Sequence, residues 1–197
     1  MSFLSVEKIS AGYGGHPILA DVSFQLEQGC MMGILGANGC GKTTLLKTIC
    51  GILPHKGTCL LEQTVLEQLS ARRMARLVGY IPQRSGISID ISVLDVVLMG
   101  FNPRLGLLER PGRKMQDLAA QALEQVGLGG REQSNYLCLS EGQKQLCILA
   151  RTLVSGSRLL LLDEPESALD FRYRHRMFNL LKAWVAQEKR AVVVTLH

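Results

Sequence analysis

Two hydrophobic rhythms alternate along the chain. Short apolar or two-residue-periodic stretches predict strands over Leu4–Ile9, Ile18–Leu26, Met31–Leu35, Gly57–Glu62, Val78–Ile81, Leu159–Leu162 and Ala191–Leu196. Helical spacing predicts Thr44–Ile49, Ser70–Leu77 with Ser70 as its N-cap, and Arg113–Val126 with Leu118, Ala122, Leu123 and Val126 on one face. A further helix starts near Ser140, with Leu146, Leu149, Ala150, Leu153 and Val154 in register. Another runs from Phe171 to Glu188 over Met177, Leu180, Leu181, Trp184 and Val185. Gly12 to Pro17 reads as a turn between the first two strands. Leu159–Leu162 is apolar at every position, as a parallel strand covered on both faces would be. The alternation predicts an α/β fold around a mostly parallel sheet, with a helical stretch of about residues 84–156 inserted between its strands.

Composition narrows this only a little. With 197 residues, 47% of them apolar, the chain has the size of a single domain carrying an inserted subdomain. Its longest apolar runs are too short to cross a bilayer, and the start lacks the basic-then-apolar order of a signal peptide. The six cysteines form no C-x-x-C pair, which fits a reduced, cytosolic protein. The net charge of +5 invites a nucleic-acid reading. The basic residues are dispersed, however, apart from Arg72-Arg73 and Arg172 to Arg176, so a solvated surface is expected and no nucleic-acid partner.

Chemistry enters at Gly36-Ala37-Asn38-Gly39-Cys40-Gly41-Lys42-Thr43, a G-x-x-x-x-G-K-[ST] loop between a predicted strand and a predicted helix. In that context backbone N–H groups and the positive helix end cradle phosphates. Lys42 would reach the β- and γ-phosphates, and the Thr43 hydroxyl would hold Mg²⁺. The candidate nucleotide-binding residues are Gly36, Asn38, Gly39, Cys40, Gly41, Lys42, Thr43 and Thr44. Cys40 is either a small filler or a thiol activated by the helix end and Lys42. The loop alone says only nucleotide.

Three further segments choose among nucleotide-binding families. Leu139-Ser140-Glu141-Gly142-Gln143 resembles the Leu-Ser-Gly-Gly-Gln signature of ATP-binding-cassette (ABC) ATPases, Leu159 to Pro165 resembles their Walker B strand, and Ser167-Ala168-Leu169-Asp170 resembles their D-loop. The resemblance covers residues 1–197 and implies a single ABC ATPase domain: a parallel core sheet, an antiparallel N-terminal β subdomain and the inserted helical subdomain.

It also implies ATP and Mg²⁺ as the bound groups and assigns roles. Asp163 would support Mg²⁺ opposite Thr43, and Glu164 would be the general base on the attacking water. Gln83 would touch Mg²⁺ or that water and relay the nucleotide state. Tyr13 would stack on adenine, His197 would be the switch histidine, and Asp170 would close the D-loop. On the residues alone, Asp163-Glu164 could cap a turn, Gln83 could be a turn residue after Pro82, and Tyr13 an ordinary loop residue. In the family, Ser140, Gly142 and Gln143 act in trans, closing over the nucleotide of a second copy in a head-to-tail dimer.

Val97-Leu98-Met99-Gly100 and Ser167 to Phe171 resemble the ATPases of iron–siderophore, haem and cobalamin importers. That likeness implies a cytoplasmic subunit held at the membrane by a separate permease, and indirectly a substrate-binding protein. The alternative is a soluble ABC switch acting on ribosomes or nucleic acid. The chain departs from the pattern at Glu141, in place of a signature glycine, and at Glu166, in place of a small hydroxyl residue. Relative to the family it stops at His197, so the last part of the fold is expected to be missing. Two consequences are expected: an α-carboxylate beside the γ-phosphate that impairs hydrolysis, and apolar exposure near Val192 and Val194.

Overall fold

The computed structural model describes residues 2–84, 86–106, 108–167, 169–187 and 189–196. In chain order the strands and helices are β1 (Leu4–Tyr13), β2 (His16–Leu26), β3 (Met31–Leu35), α1 (Lys42–Ile49), β4 (Lys56–Leu61), β5 (Thr64–Val65), α2 (Ala71–Leu77), β6 (Val78–Ile81), α3 (Val93–Leu98), α4 (Arg113–Val126), α5 (Glu141–Val154), β7 (Leu159–Asp163), α6 (Phe171–Val185) and β8 (Ala191–Leu196). They form two four-stranded sheets, one ordered β2-β1-β4-β5 with antiparallel pairing and one ordered β3-β8-β7-β6 with parallel pairing.

The run of leucines in β7 follows from this geometry. Successive side chains of a strand point to opposite faces. Leu159 and Leu161 therefore join the core between the parallel sheet, α1 and the antiparallel sheet, whereas Leu160 and Leu162 join the core made with α3, α4, α5 and α6. All four are fully buried. In β8, Val193 faces the first core, and Val192 and Val194 face the second.

Central placement of β8 overturns the expectation of exposed valines. The strand lies between β3 and β7, and Val192 and Val194 are buried against residues such as Leu181 and Trp184. Other departures are local. The turn predicted over Gly12–Pro17 shrinks to Gly14-Gly15, because β1 and β2 continue to Tyr13 and His16. In α4 the buried face is Ala119, Ala122, Leu123 and Val126, while Leu118 lies 42% exposed at the edge of that stripe. Helix α6 ends at Val185, short of the predicted Glu188, which lies outside the described residues.

Between β6 and β7, helices α3, α4 and α5 pack into one core. Its attachment to the sheet is polar as well as apolar. The Gln145 side chain of α5 donates to the Pro82 carbonyl at 3.2 Å, immediately after β6. On the other flank, Arg76 of α2 donates to the Pro103 carbonyl at 2.7 Å, and Arg72 donates to the carbonyls of Pro103 and Leu105. Part of the Arg72-Arg73 cluster thus ties α2 to the loop that leaves α3.

Candidate functional site

The 36–43 loop joins the carboxyl end of β3 to α1. Gly41 is the N-cap of α1 with φ 103°, a left-handed conformation that disfavours any side chain. A Cβ there would also come within 3.0 Å of Ile18 and 2.9 Å of Leu19, so the β1–β2 hairpin closes over the loop. No acidic side chain occupies the first turn of α1, leaving its N-terminal amides and positive end to an anion. Lys42 is buried, and its Nζ lies 2.6 Å from the Gly36 carbonyl, 3.4 Å from that of Ala37 and 3.3 Å from Oε1 of Glu164.

Opposite the loop, the carboxyl ends of β7 and β8 bring up the acidic pair. The Thr43 hydroxyl donates to Oδ1 of Asp163 at 3.0 Å. Asp163 also accepts from the hydroxyls of Thr195 (3.0 Å) and Tyr80 (3.3 Å). Burial, reinforced by the Asp163 charge, raises the pKa of the Tyr80 phenol, which keeps it a donor. Glu164 has φ 46°, a left-handed backbone at a non-glycine residue, and its N–H donates to Thr195 Oγ1 at 2.9 Å. This backbone turn sends its carboxylate to the loop: Oε1 faces Lys42 and Oε2 accepts from the Gln83 amide at 2.8 Å.

Lys42, Thr43, Gln83, Asp163 and Glu164 therefore converge on one centre. Two hard oxygen donors, Thr43 Oγ1 and an Asp163 carboxylate oxygen, lie together beside a helix N-terminus, a donor set that fits Mg²⁺. Asn38, Gly39, Cys40 and Thr44 lie in the same loop and first helical turn, Cys40 exposed and Thr44 buried. Tyr13, at the end of β1, is 45% exposed. A groove of about 560 Å³ between α4, α5 and α6, lined by residues such as Leu118 and Trp184, carries none of these groups. Chemistry, not concavity, locates the site.

The Ser140 segment stands apart from this centre and opens α5. Ser140 Oγ accepts from the Gln143 N–H at 3.3 Å, and Gln143 Oε1 accepts from the Ser140 N–H at 3.1 Å, a reciprocal capping box. Gly142 is buried between them. Glu141 points outward, 72% exposed, and pairs with Lys144 at 2.8 Å. Asp170 caps α6, accepting from the Tyr173 N–H at 2.9 Å. Glu166 Oε2 is buried with no hydrogen-bond partner among the described residues, and nothing in the structure explains it. His197 lies outside the described residues.

Sequence reasoning passed over Tyr80, Thr195 and Gln145. Two of them carried a signal: Thr195 is a lone polar residue in an apolar strand, and Gln145 a polar residue on the apolar face of α5. Buried polar groups at such positions need partners, and each has one.

A family model described as ABC transporter matches residues 19–167. Among curated proteins, the hemin import ATP-binding protein HmuV of Bordetella pertussis is 37% identical over 203 residues, spanning 98% of this chain and 76% of that protein. The manganese transport system ATP-binding protein MntB of Bacillus subtilis is 34% identical over 197 residues, with 98% and 76% covered. Among solved structures, an inward-facing conformation of a transporter described as metal-chelate type superposes with a TM-score of 0.84 at 32% identity, covering 100% of this chain and 74% of that one. The chain belongs to the ABC transporter family and is one of its ATP-binding, ATP-hydrolysing proteins.

Proposed function

We propose that this chain is the ATPase subunit of an importer for an iron–siderophore or similar metal chelate. It would work as a head-to-tail pair beneath a separate membrane permease supplied by a substrate-binding protein. The observation that carries the reaction is the placement of Glu164, with one carboxylate oxygen at Lys42 and the other at Gln83. Support for the cargo class comes from HmuV, named for hemin, and from the structural neighbour, described as metal-chelate type, whereas MntB, named for manganese, supports metal import only in the broader sense. No described helix is long and apolar enough to cross a membrane, which fits a subunit that reaches it through a partner.

In this reading the 36–43 loop amides, the α1 N-terminus and Lys42 hold the triphosphate of ATP, with Gly36, Asn38, Gly39, Cys40, Gly41 and Thr44 forming the cradle and Tyr13 stacking on adenine. Bound Mg²⁺ would neutralise charge on the β- and γ-phosphates, held by Thr43 and Asp163 with Gln83 nearby. Glu164 takes a proton from the attacking water as the water oxygen bonds to the γ-phosphorus and the bond to the bridging oxygen breaks. The phosphate approaches Lys42 and draws the ammonium from the Gly36 carbonyl. Ser140, Gly142 and Gln143 act on the nucleotide of the second copy, Asp170 lies at the dimer seam, and His197 would contact the γ-phosphate. The helical stretch of about residues 84–156 would carry the permease contact, placing the protein on the cytoplasmic face of the membrane.

The test is ATP hydrolysis by the chain reconstituted with its permease in proteoliposomes. Stimulation by a binding protein loaded with a ferric siderophore or haem supports the cargo class. Stimulation by free Mn²⁺ or Zn²⁺ on its binding protein, with none by chelates, would refute it. Absence of any permease-dependent turnover would refute the transport role.

A further inference from the structure

Among the described residues, one group outside the ATP centre brings three metal-ligating side chains together: His55, Cys59 and Glu67, whose ligand atoms all lie within 4.8 Å of one another. Local folding produces the group. His55 lies between α1 and β4, Cys59 is in β4, and β5 turns back along β4 so that Glu67, in the helical turn Leu66–Gln68, returns beside Cys59. The Cys59 N–H donates to Glu67 Oε1 at 2.6 Å, which fixes the carboxylate at the thiol. His55 Nε2 lies 2.9 Å from the same oxygen, and the imidazole side chain is only 7% exposed.

The histidine defines what the group can hold. Its Nδ1 lies 3.3 Å from the Leu53 carbonyl, which can only accept, so Nδ1 carries a hydrogen. Nε2 then points at a carboxylate with either a second proton or a bare lone pair. A second proton on Nε2 would be donated to Glu67, whereas a bare lone pair facing the carboxylate calls for a cation between them, a place that a metal ion can fill. A backbone carbonyl holding the far N–H is the usual support of a metal-ligating histidine. The thiol is fully buried beside them, and a sulfur, an imidazole and one carboxylate together suit a borderline ion of the zinc type, whereas Mg²⁺ takes oxygen donors.

We propose that His55 Nε2, Cys59 Sγ and the Glu67 carboxylate bind one zinc-type divalent ion, with water completing a tetrahedron. Metal–ligand distances of about 2.0–2.3 Å put ligand atoms roughly 3.3–3.8 Å apart. The histidine and carboxylate then separate by a few tenths of an ångström, and the sulfur closes by about 1 Å or less. Binding releases the Cys59 thiol proton to water and leaves the thiolate on the ion. The ion ties the segment leaving α1 to the β4–β5 hairpin, in a position separate from the residues that meet ATP.

The experiment uses the full chain, freed of metal, with the exposed thiols removed by Cys30→Ser, Cys40→Ser and Cys138→Ser. Zn²⁺ is titrated against a chromophoric chelator, and Co²⁺ binding is followed by absorption. One equivalent of Zn²⁺ is expected, with a thiolate-to-cobalt charge-transfer band in the near ultraviolet and a Tm raised by Zn²⁺. His55→Ala and Glu67→Gln should each weaken binding by at least about tenfold while the protein stays folded. Sub-stoichiometric binding, a cobalt spectrum without the sulfur band, or unchanged affinity in the His55→Ala protein would each overturn the site. Because Cys59 is buried, Cys59→Ser is informative only alongside these two variants, which decide the matter on their own.

Discussion

The Gln83 amide donates to Oε2 of Glu164 at 2.8 Å while the other oxygen of that carboxylate lies 3.3 Å from Lys42. One carboxylate thus links the phosphate-binding loop to the segment that enters the helical stretch. Pro82, the residue before Gln83, is itself held through its carbonyl by Gln145 of α5. The signature segment opens the same helix. A continuous set of contacts therefore runs from Lys42 through Glu164, Gln83 and Gln145 toward the surface assigned to the second copy. In the proposed cycle this is how the nucleotide state reaches the dimer seam.

Glu164→Gln should keep ATP binding and lose hydrolysis by about 10²–10⁴-fold, because the amide keeps the shape and lacks the basicity. It should still accept from Gln83 through its carbonyl oxygen, so folding is preserved. Equilibrium ATP binding and steady-state phosphate release, measured on the same preparation, check both halves. Turnover within tenfold of the unaltered protein would remove Glu164 from the role of base.

Thr195→Val replaces a hydroxyl by a methyl of the same shape. The Glu164 N–H loses its acceptor and Asp163 loses a donor, both in a fully buried environment. An unsatisfied buried amide costs about 1–3 kcal/mol. The expected outcome is an unfolding free energy lower by that amount, seen as a lower urea midpoint at unchanged slope, and a turnover reduced about tenfold or more, with ATP affinity changed less than about threefold. Equal loss of affinity and turnover would show that Thr195 supports the fold alone.

These residues also mark how far the sequence could be read. The phosphate loop was legible because its spacing is set by a backbone shape that few other sequences adopt, whereas the Asp163-Glu164 pair was legible only through the resemblance of Leu159 to Pro165 to a Walker B strand. Tyr80 and Thr195 were not, because their partner Asp163 lies far away in sequence and only the parallel pairing of β7 with β6 and β8 brings them together. Strand order was illegible for a related reason: β8, last in sequence, sits between β3 and β7, so Val192 and Val194 are covered rather than exposed. The segment Val97 to Gly100 was read as a mark of cargo class. In the structure Val97 and Leu98 are buried, and a Cβ on Gly100 would lie 2.1 Å from the Arg151 carbonyl, so its residue types answer to α3–α5 packing.

Glu141→Gly should leave the ATP affinity of the isolated chain within about twofold. The carboxylate points outward to Lys144 rather than toward the chain's own phosphate loop. Loss of the exposed pair costs roughly 0.2–0.5 kcal/mol and glycine in the first turn of α5 up to about 1 kcal/mol. If the segment closes over the nucleotide of a second copy, removing a negative charge there should make turnover equal or faster. A large loss of ATP affinity in dilute, monomeric protein would show that Glu141 serves its own site.

Gln145→Leu tests the link between α5 and the Gln83 segment. Leucine suits the apolar surroundings and leaves the Pro82 carbonyl without its donor. Basal ATP binding should be unchanged, whereas stimulation of hydrolysis by the permease should fall several-fold. The ratio of stimulated to basal rates is the readout, and an unaltered ratio would show that the hydrogen bond only anchors the helix.

The last expectation concerns the thiols. Cys50, Cys59 and Cys147 are buried, and burial pushes their pKa up to about 11, 12 and 12 from 9.0, with Glu67 adding to the rise at Cys59. The three exposed thiols, Cys30, Cys40 and Cys138, should be the ones that react with maleimide in the native protein, and ATP should protect Cys40 because it lies in the phosphate loop. The same burial sets a pH dependence of stability. Below pH 9 the buried thiols are protonated in both folded and unfolded chains and contribute no slope. Above it the unfolded chain loses these protons while the folded chain keeps them, so stability falls as pH rises from 9 toward 11 or 12. Each such thiol contributes about 1.4 kcal/mol per pH unit within that window. Urea unfolding of metal-free protein at pH 8 and pH 10 should show the drop, and Cys147→Ala should reduce its steepness by about one thiol's share. A slope unaffected by that substitution would mean that other groups titrate there and that the Cys147 thiolate is tolerated where it lies.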